Sequence, residues 1–362
     1  MTNHSPVPPS SPLIGHYLPT RILAWVHNTP ITHAQAWQHI HALAEVLPTG
    51  ALINLCTQRY HTLLLLGACA LRGQVLIQPP NQTLAALQTL ATQHPQVTVI
   101  ADAPLAWDDS HSAPPLTRWP MPAWNTLHTP VLPLNLPHIA NTHVVLCAYT
   151  SGSTGTPVAV PKTWGALVHL AQLAQQRFNI DYLCGESIAS LYRVATVPAQ
   201  HLFGLESSVL CALHGGDVLV DSHPFYPQDI AAALTAIPAP RVLVSTPLHL
   251  RALLRSNVPL PPLHFIVSAT APLEPALAQR LEQYSQAPVY EIYGCTETGA
   301  IASRRPTHDD RWQCYQDIHL QAQNTENAEE NVTKGRMYDV ISSHLSEPTA
   351  LADLLTGLTH HA

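Results

Sequence analysis

The segment YTSGSTGTPVAVPKTW, which runs from Tyr149 to Trp164, carries the strongest signal for the fold of this chain. Gly, Ser and Thr fill every position from 150 to 156, and the only lysine of the segment is Lys162. The apolar run HVVLCAY before it predicts a strand, and TWGALVHLAQLAQQRF at its end predicts a helix. A small-residue turn between a strand and a helix offers backbone N–H groups to an anion. The pattern therefore predicts a phosphate-binding loop, although no Gly-Lys-Ser/Thr sequence completes a Walker A motif.

On both sides of this segment, short β-type runs alternate with helical runs from Ala51 to Glu297. ALINLC, QVLIQPP, DVLVDS and HFIVSAT are typical of strands, whereas RYHTLLLLGACALRG, PQDIAAALTAI and EPALAQRLEQY are typical of helices. This order predicts an α/β fold in which parallel sheets are covered by helices. We expect one large domain over 1–362, with sublobes of roughly 1–140 and 141–302 and an irregular tail at 303–362.

Composition narrows the classes of partner. The 362 residues include 16 basic and 23 acidic side chains, a net charge of −7 without a basic stripe, which argues against nucleic acid. Seven dispersed cysteines without a C-x-x-C pair fit a reducing compartment. The longest apolar run, TLLLLGACAL, is shorter than the ~20 residues of a membrane span, and the Pro-rich, nearly uncharged first thirty residues predict no signal peptide. We therefore expect a cytoplasmic protein without a membrane partner.

Three motifs follow one another along the chain: the small-residue loop that begins at Thr150, PAQHLFG at 198–204 and YGCTETG at 293–299. Together they resemble the signatures of the adenylate-forming superfamily, which contains acyl- and aryl-CoA synthetases, adenylation domains and luciferase. PAQHLFG resembles P-x-x-H-x-x-G, and YGCTETG resembles Y-G-x-T-E. Val158 and Ala159 replace the lysine and glycine that end the family's loop, (S/T)-S-G-(S/T)-(S/T)-G-x-P-K-G. The loop matches at Thr150, Ser151, Gly152, Ser153, Thr154, Gly155 and Pro157.

The resemblance implies ATP and Mg²⁺ as cofactors and assigns a role to each motif. The loop closes on the β- and γ-phosphates, and His201 borders the acyl or aryl pocket. Tyr293 flanks the adenine, Thr296 contacts the α-phosphate and Glu297 holds Mg²⁺. A carboxylate suits this hard cation, which in turn neutralises phosphate charge. The implied catalytic residues are thus His201, Thr296 and Glu297.

Two further positions are implied at the nucleotide or the substrate. VSATAPL resembles the S-G-(G/A)-A-P-L turn of the family, which places Ala269 and Thr270 beside the adenine and the substrate pocket. Lys162 has two open interpretations: it reaches back to supply the charge that Val158 lacks, or it caps the helix that begins near Trp164.

Longer phrases between Ala51 and Ala302 resemble the AMP-ligases of aryl-polyene and xanthomonadin-type pigment clusters. That resemblance implies a small aryl carboxylic acid, of the hydroxybenzoate or hydroxycinnamate type, as substrate. It also implies an acyl carrier protein or coenzyme A as the acceptor of the acyl group.

Superfamily members end in a mobile lid that carries a G-R-x-x-D hinge and a lysine, and we expect this chain to lack it. LSEPTALADLL resembles the stretch before the true hinge, which makes Asp353 the candidate for the ribose hydroxyls. GRMYDVI matches the hinge only superficially, so Asp339 is expected to be an ordinary strand-end residue. Without a lid, adenylation is expected to be slow, and a non-catalytic module that binds nucleotide or aryl acid is the alternative.

Overall fold

The computed structural model describes residues 9–105, 116–128, 135–150, 157–179, 190–322, 338–345, 349–350 and 358–359. Contacts between residues divide the chain into two compact units. The N-terminal unit comprises residues 1–171 and 198–223, and the C-terminal unit comprises residues 172–197 and 224–362. The sublobe boundary expected near residue 140 falls inside the N-terminal unit.

The strands are β1 (Ser10–Pro12), β2 (Ile22–Val26), β3 (Thr29–Thr32), β4 (Leu52–Asn54), β5 (Leu76–Gln78), β6 (Thr98–Ala101), β7 (Thr117–Pro120), β8 (His138–Ala140), β9 (Val144–Thr150), β10 (Val158–Thr163), β11 (Tyr192–Ala195), β12 (Val218–Asp221), β13 (Arg241–Ser245), β14 (Phe265–Ser268), β15 (Val289–Cys295), β16 (Gly299–Arg304), β17 (Trp312–Cys314), β18 (His319–Ala322), β19 (Tyr338–Ile341), β20 (Thr349–Ala350) and β21 (Leu358–Thr359). The helices are α1 (His33–Val46), α2 (Arg59–Arg72), α3 (Leu84–Gln93), α4 (Trp164–Asn179), α5 (Leu202–Gly204), α6 (Cys211–Leu213), α7 (Pro227–Thr235), α8 (Pro247–Ser256) and α9 (Pro275–Ser285), with a 3-10 turn at Trp124–Thr126 and a π-helical segment at Leu205–Leu210.

The main sheet of the N-terminal unit has the strand order β10-β9-β5-β4-β6-β7. Its strands are parallel except β10, which pairs antiparallel with β9. Leu52 and Leu76 belong to one buried cluster of the unit, whereas Ile53 and Ile77 belong to another. Because β5 and β6 lie on opposite sides of β4, the chain leaves β4 at a topological switch point, where α/β folds place polar side chains.

Helix α2 connects β4 to β5 and is buried along most of its length. Its RYHTLLLLGACALR sequence is apolar on nearly every face, as expected for a helix enclosed by protein. Gly67 permits a close approach of α1, because a Cβ there would lie 2.8 Å from Cδ1 of Ile40. The helix ends at Gly73, whose φ of 66° provides the left-handed C-cap.

In the C-terminal unit, β11, β13, β14 and β15 form a parallel sheet that β16 and β17 extend with antiparallel pairing. Helices α8 and α9 are the crossovers, and each begins with a proline at its first position. A separate sheet contains β18, β19 and β20, and Asp339 lies within β19. The α/β class with parallel sheets is thus confirmed.

Strands and helices also form where the sequence predicted none. The first fifty residues, which carried no prediction, include β2, β3 and α1, and the segment expected to be irregular after residue 303 carries short strands. No helix within the described ranges combines the length and the apolar character needed to cross a membrane.

Candidate functional site

The phosphate-loop motif lies in the N-terminal unit between two antiparallel strands. Thr150 ends β9 and pairs in register with Val158, the first residue of β10. The prediction that a helix follows the loop directly is wrong, because β10 separates the loop from α4. The loop therefore does not form the N-terminus of α4, and the dipole of that helix is not directed through it. Residues Ser151, Gly152, Ser153, Thr154 and Gly155 lie outside the described residues.

Lys162 is the second-last residue of β10 and lies opposite Leu146 of β9. It is only 3% exposed, whereas Val158, at the family's lysine position, is 50% exposed. The first turn of α4 is capped by the hydroxyl of Thr163, which accepts a hydrogen bond of 3.2 Å from the backbone N–H of Ala166. That contact gives the capping role to Thr163. A contact between Lys162 and a nucleotide stays a prediction.

His201 precedes α5, and its side chain caps that short helix. Nδ1 accepts a hydrogen bond of 3.3 Å from the backbone N–H of Phe203. The residue is exposed, yet the protein around the ring desolvates it enough to lower its pKa. A neutral imidazole with one nitrogen turned to the backbone leaves Nε2 as the atom that can meet a ligand.

The VSATAPL turn follows β14 in the C-terminal unit. Ala269 is 8% exposed, and its N–H donates to the carbonyl of Ser245 on β13 at 3.4 Å. Thr270 is exposed and has a φ of 78°, which is strained for a β-branched residue. Strain of this kind tends to collect where a backbone is held for function.

Glu291 joins this turn to the neighbouring β15. One carboxylate oxygen accepts a 2.8 Å hydrogen bond from the backbone N–H of Leu273, and the other accepts a 2.7 Å hydrogen bond from Nε of Arg304. Glu291 is 4% exposed. Arg304 also lies 4.6 Å from the ring centroid of Trp312. The sequence analysis missed Glu291, whose only signal is a carboxylate within the β-type run PVYEIYG.

The YGCTETG motif forms the connection between β15 and β16. Gly294 admits no side chain, because a Cβ there would lie 2.2 Å from the carbonyl oxygen of Gly299. Thr298 is fully buried, and its hydroxyl lies 3.2 Å from the thiol of Cys295. Tyr293 packs against Trp312 with ring centroids 5.6 Å apart. These contacts fix the hairpin that carries the candidate nucleotide-binding residues.

Thr296 and Glu297 occupy the tip of this hairpin. Thr296 is half-buried and Glu297 is exposed. Burial and the neighbouring Glu297 carboxylate raise the pKa of the Cys295 thiol, whereas hydrogen bonds with Thr298 lower it. An exposed carboxylate beside a hydroxyl is a donor set that suits Mg²⁺ and a phosphate oxygen, so these residues fit the implied cofactors.

Within the C-terminal unit, the structure thus brings the adenine, phosphate and metal candidates into one hairpin. The strand of that hairpin is tied through Glu291 to the turn of Ala269 and Thr270. Thr150, Lys162 and His201 belong to the N-terminal unit. Asp353 lies outside the described residues.

The model of the AMP-binding enzyme family matches residues 59–328, which is most of the chain. The chain belongs to the AMP-binding enzyme family. All three motifs lie inside the matched segment, so the family resemblance of the sequence is confirmed.

Among curated proteins, the chain resembles two bacterial 4-coumarate–CoA ligases. The protein from Rhodobacter capsulatus is 34% identical over 156 residues, and the one from Halorhodospira halophila is 35% identical over 168 residues. These alignments cover 43% and 45% of this chain and 38% of each relative. The chain therefore matches well under half of the length of these relatives.

Two solved structures share the fold. The o-succinylbenzoate CoA synthetase MenE from Bacillus subtilis, in complex with ATP and a magnesium ion, superposes with a TM-score of 0.71 at 15% identity, covering 91% of this chain and 70% of that one. Apo MatB from Rhodopseudomonas palustris gives a TM-score of 0.71 at 17% identity, covering 90% and 68%. At such identities the likeness establishes the fold.

Proposed function

We propose that this protein activates a carboxylic acid with ATP and passes the acyl group to a thiol. The observation that carries this proposal is the hairpin of the C-terminal unit, which presents Thr296 and Glu297 at its tip beside Tyr293. The family match and the likeness to CoA ligases support it.

The reaction requires the protein mainly to align the reactants and to stabilise charge on the phosphates. The carboxylate of the acid is already ionised at neutral pH, so it attacks the α-phosphorus without a general base. Pyrophosphate leaves, and the acyl-adenylate is held until the thiol attacks the acyl carbon and displaces AMP. Thr296 would hold the α-phosphate and Glu297 would hold Mg²⁺, which supplies charge neutralisation on the phosphates. The remaining loop residues and Asp353 would bind the phosphates and the ribose.

The acid is proposed to be aryl, of the hydroxybenzoate or hydroxycinnamate type, as in the pigment-cluster AMP-ligases that the sequence resembles. The acceptor is coenzyme A or an acyl carrier protein in the cytoplasm. His201 borders the aryl pocket in this proposal, and the neutral state favoured by its lowered pKa suits a contact with an uncharged ring.

The test is acid-dependent exchange of pyrophosphate into ATP, with Mg²⁺ and a panel of hydroxybenzoates and hydroxycinnamates. Glu297→Gln should lower the exchange rate by about 100-fold or more, the effect of losing about 3 kcal/mol of transition-state stabilisation. Glu274→Gln is the matched control, because Glu274 is an exposed carboxylate of the same unit whose partner is Arg251. Equal rates for both variants would refute the metal role of Glu297.

A second candidate is a module that binds nucleotide or aryl acid without turnover. Val158 at the family's lysine position favours it. Calorimetric binding of ATP·Mg²⁺, abolished by Glu297→Gln, together with no exchange for any acid, would support this candidate over the ligase.

A further inference from the structure

Two carboxylates hold the start of α2, one at its first turn and the other at the loop before it. Asp221 accepts hydrogen bonds from the backbone N–H groups of Arg59 at 2.8 Å and Tyr60 at 3.4 Å, which are the first residues of the helix. Asp102 instead accepts from the loop before the helix. Its Oδ1 receives the Thr57 N–H at 2.7 Å and the Thr57 hydroxyl at 2.9 Å, and its Oδ2 receives the Gln58 N–H at 2.9 Å.

His61 fixes the Asp102 carboxylate from the other side. Its Nδ1 lies 2.9 Å from Oδ2 of Asp102, and the two side chains are 4% and 2% exposed. Nε2 of His61 is buried and has no hydrogen-bond partner in the part of the chain that the structure describes. Burial raises the pKa of Asp102, but the hydrogen bonds from His61, Thr57 and Gln58 outweigh it, so the pKa is lowered overall. Asp102 is therefore an ionised, immobilised acceptor.

The loop that Asp102 holds also anchors the segment of His201. The amide of Gln200 donates a hydrogen bond to the backbone carbonyl of Cys56, the residue before Thr57. Cys56 is held in turn by Asn54, whose side-chain oxygen accepts from the Cys56 N–H at 3.0 Å. Gln200 immediately precedes His201, so the position of the Cys56 carbonyl limits where the His201 backbone can lie.

We propose that Asp102, with His61, is a positioning residue for His201 and thereby for the acid-binding side of the site. The connection runs from Asp102 through Thr57 and Cys56 to Gln200, all within the N-terminal unit. This inference rests on the proposed function, because it assigns the acid to His201. A displacement of about 1 Å at such a residue is enough to change productive binding strongly.

The first measurement is steady-state kinetics of exchange for Asp102→Asn and Gln200→Ala. Each variant should raise the KM for the acid about tenfold and leave the KM for ATP within about twofold, since His201 contacts the acid alone. Asp221→Asn is the matched control, because it removes a carboxylate from the same helix terminus without touching the Cys56 loop. It should lose thermal stability and keep both KM values. Equal changes in the acid KM for Asp102→Asn and Asp221→Asn would overturn the proposal.

A double-mutant cycle tests the route of the effect. If Asp102 acts through Gln200, the double variant should raise the acid KM no more than the larger single change, whereas independent effects would multiply. Multiplied effects would refute the connection. Gln200 is half-buried and uncharged, so Gln200→Ala carries the test if Asp102→Asn does not fold.

Nuclear magnetic resonance tests the positioning of His201 independently of the proposed function. The ring signals of His201, assigned by their loss in His201→Gln, can be followed in the protein without any substrate. They should shift in Asp102→Asn and Gln200→Ala and stay in place in Asp221→Asn. Unmoved His201 signals would overturn the positioning role even if exchange is observed. Shifted signals without exchange for any acid would preserve the positioning role and count against the ligase.

Discussion

The two units differ in the polar groups that they bury. The N-terminal unit encloses neutral histidines: His33, His39 and His214 are 0%, 8% and 2% exposed. In the C-terminal unit, arginine side chains lie on aromatic rings instead. Arg193 is 2% exposed and lies 5.9 Å from the ring centroid of Phe265.

The buried histidines and the arginines respond differently to a change of pH. Burial lowers the pKa of His33 and of His39 to about 4 and that of His214 to about 3, with smaller contributions from Arg21 and His16 at His33 and from His16 at His214. Arginine keeps its charge at every pH that a cell reaches. We therefore expect the stability of the N-terminal unit to depend on pH, whereas the stability of the C-terminal unit depends on packing and ion pairing.

The largest expected effect is acid unfolding of the N-terminal unit. The three histidines have folded pKa values below the unfolded value of about 6.5, so their contribution is complete above that pH and is lost as pH falls from 6.5 towards 4. Together, the three groups lower the free energy of unfolding by about 4 kcal/mol for each unit by which the pH falls in this range. Hydrogen-exchange mass spectrometry at pH 7, 6 and 5 should show peptides of the N-terminal unit losing protection first.

His39→Gln supplies the control for this effect, because it removes one of the titrating rings beside Tyr60. The slope of stability against pH should fall by about 1.4 kcal/mol per unit. Earlier loss of protection in the C-terminal unit would contradict the comparison.

The second effect concerns the buried ion pair of the C-terminal unit. Glu291→Gln leaves the Arg304 guanidinium, which is 17% exposed, without its counter-charge, and should lower the free energy of unfolding by about 3 kcal/mol. Glu274→Gln breaks an exposed pair with Arg251 and should cost less than about 1 kcal/mol. Urea unfolding at pH 7 measures both. Equal losses would show that burial does not set the strength of these pairs.

The smallest effect concerns backbone strain at the VSATAPL turn of the C-terminal unit. Thr270→Gly relieves a φ of 78° and should raise the free energy of unfolding by about 0.5–1 kcal/mol, after the entropy cost of glycine is subtracted. Asn257→Gly is the matched control, since asparagine tolerates its φ of 50° and little change is expected. Thermal unfolding compares the two, and a loss of stability in Thr270→Gly would contradict strain at this turn.

The sequence by itself determined the fold class, most strands and helices between Ala51 and Glu297, and the three motifs that define the family. These signals are local, because strand and helix periodicity and the order of small, proline and carboxylate residues can be read without knowing which segments meet. Glu297 and Thr296 belong to this part.

Only the tertiary structure decided that β10 follows the small-residue loop, that Glu291 ties the VSATAPL turn to β15, and that Asp102 holds the loop whose Cys56 carbonyl accepts from Gln200. β10 escaped prediction because VAVPKT carries a proline, which is tolerated at this edge position of the sheet. Leu273 lies 18 residues from Glu291 in the chain, and Thr57 lies 45 residues from Asp102. The sequence shows where a carboxylate stands, but the hydrogen-bond donors that surround it come together only when distant segments of the chain meet.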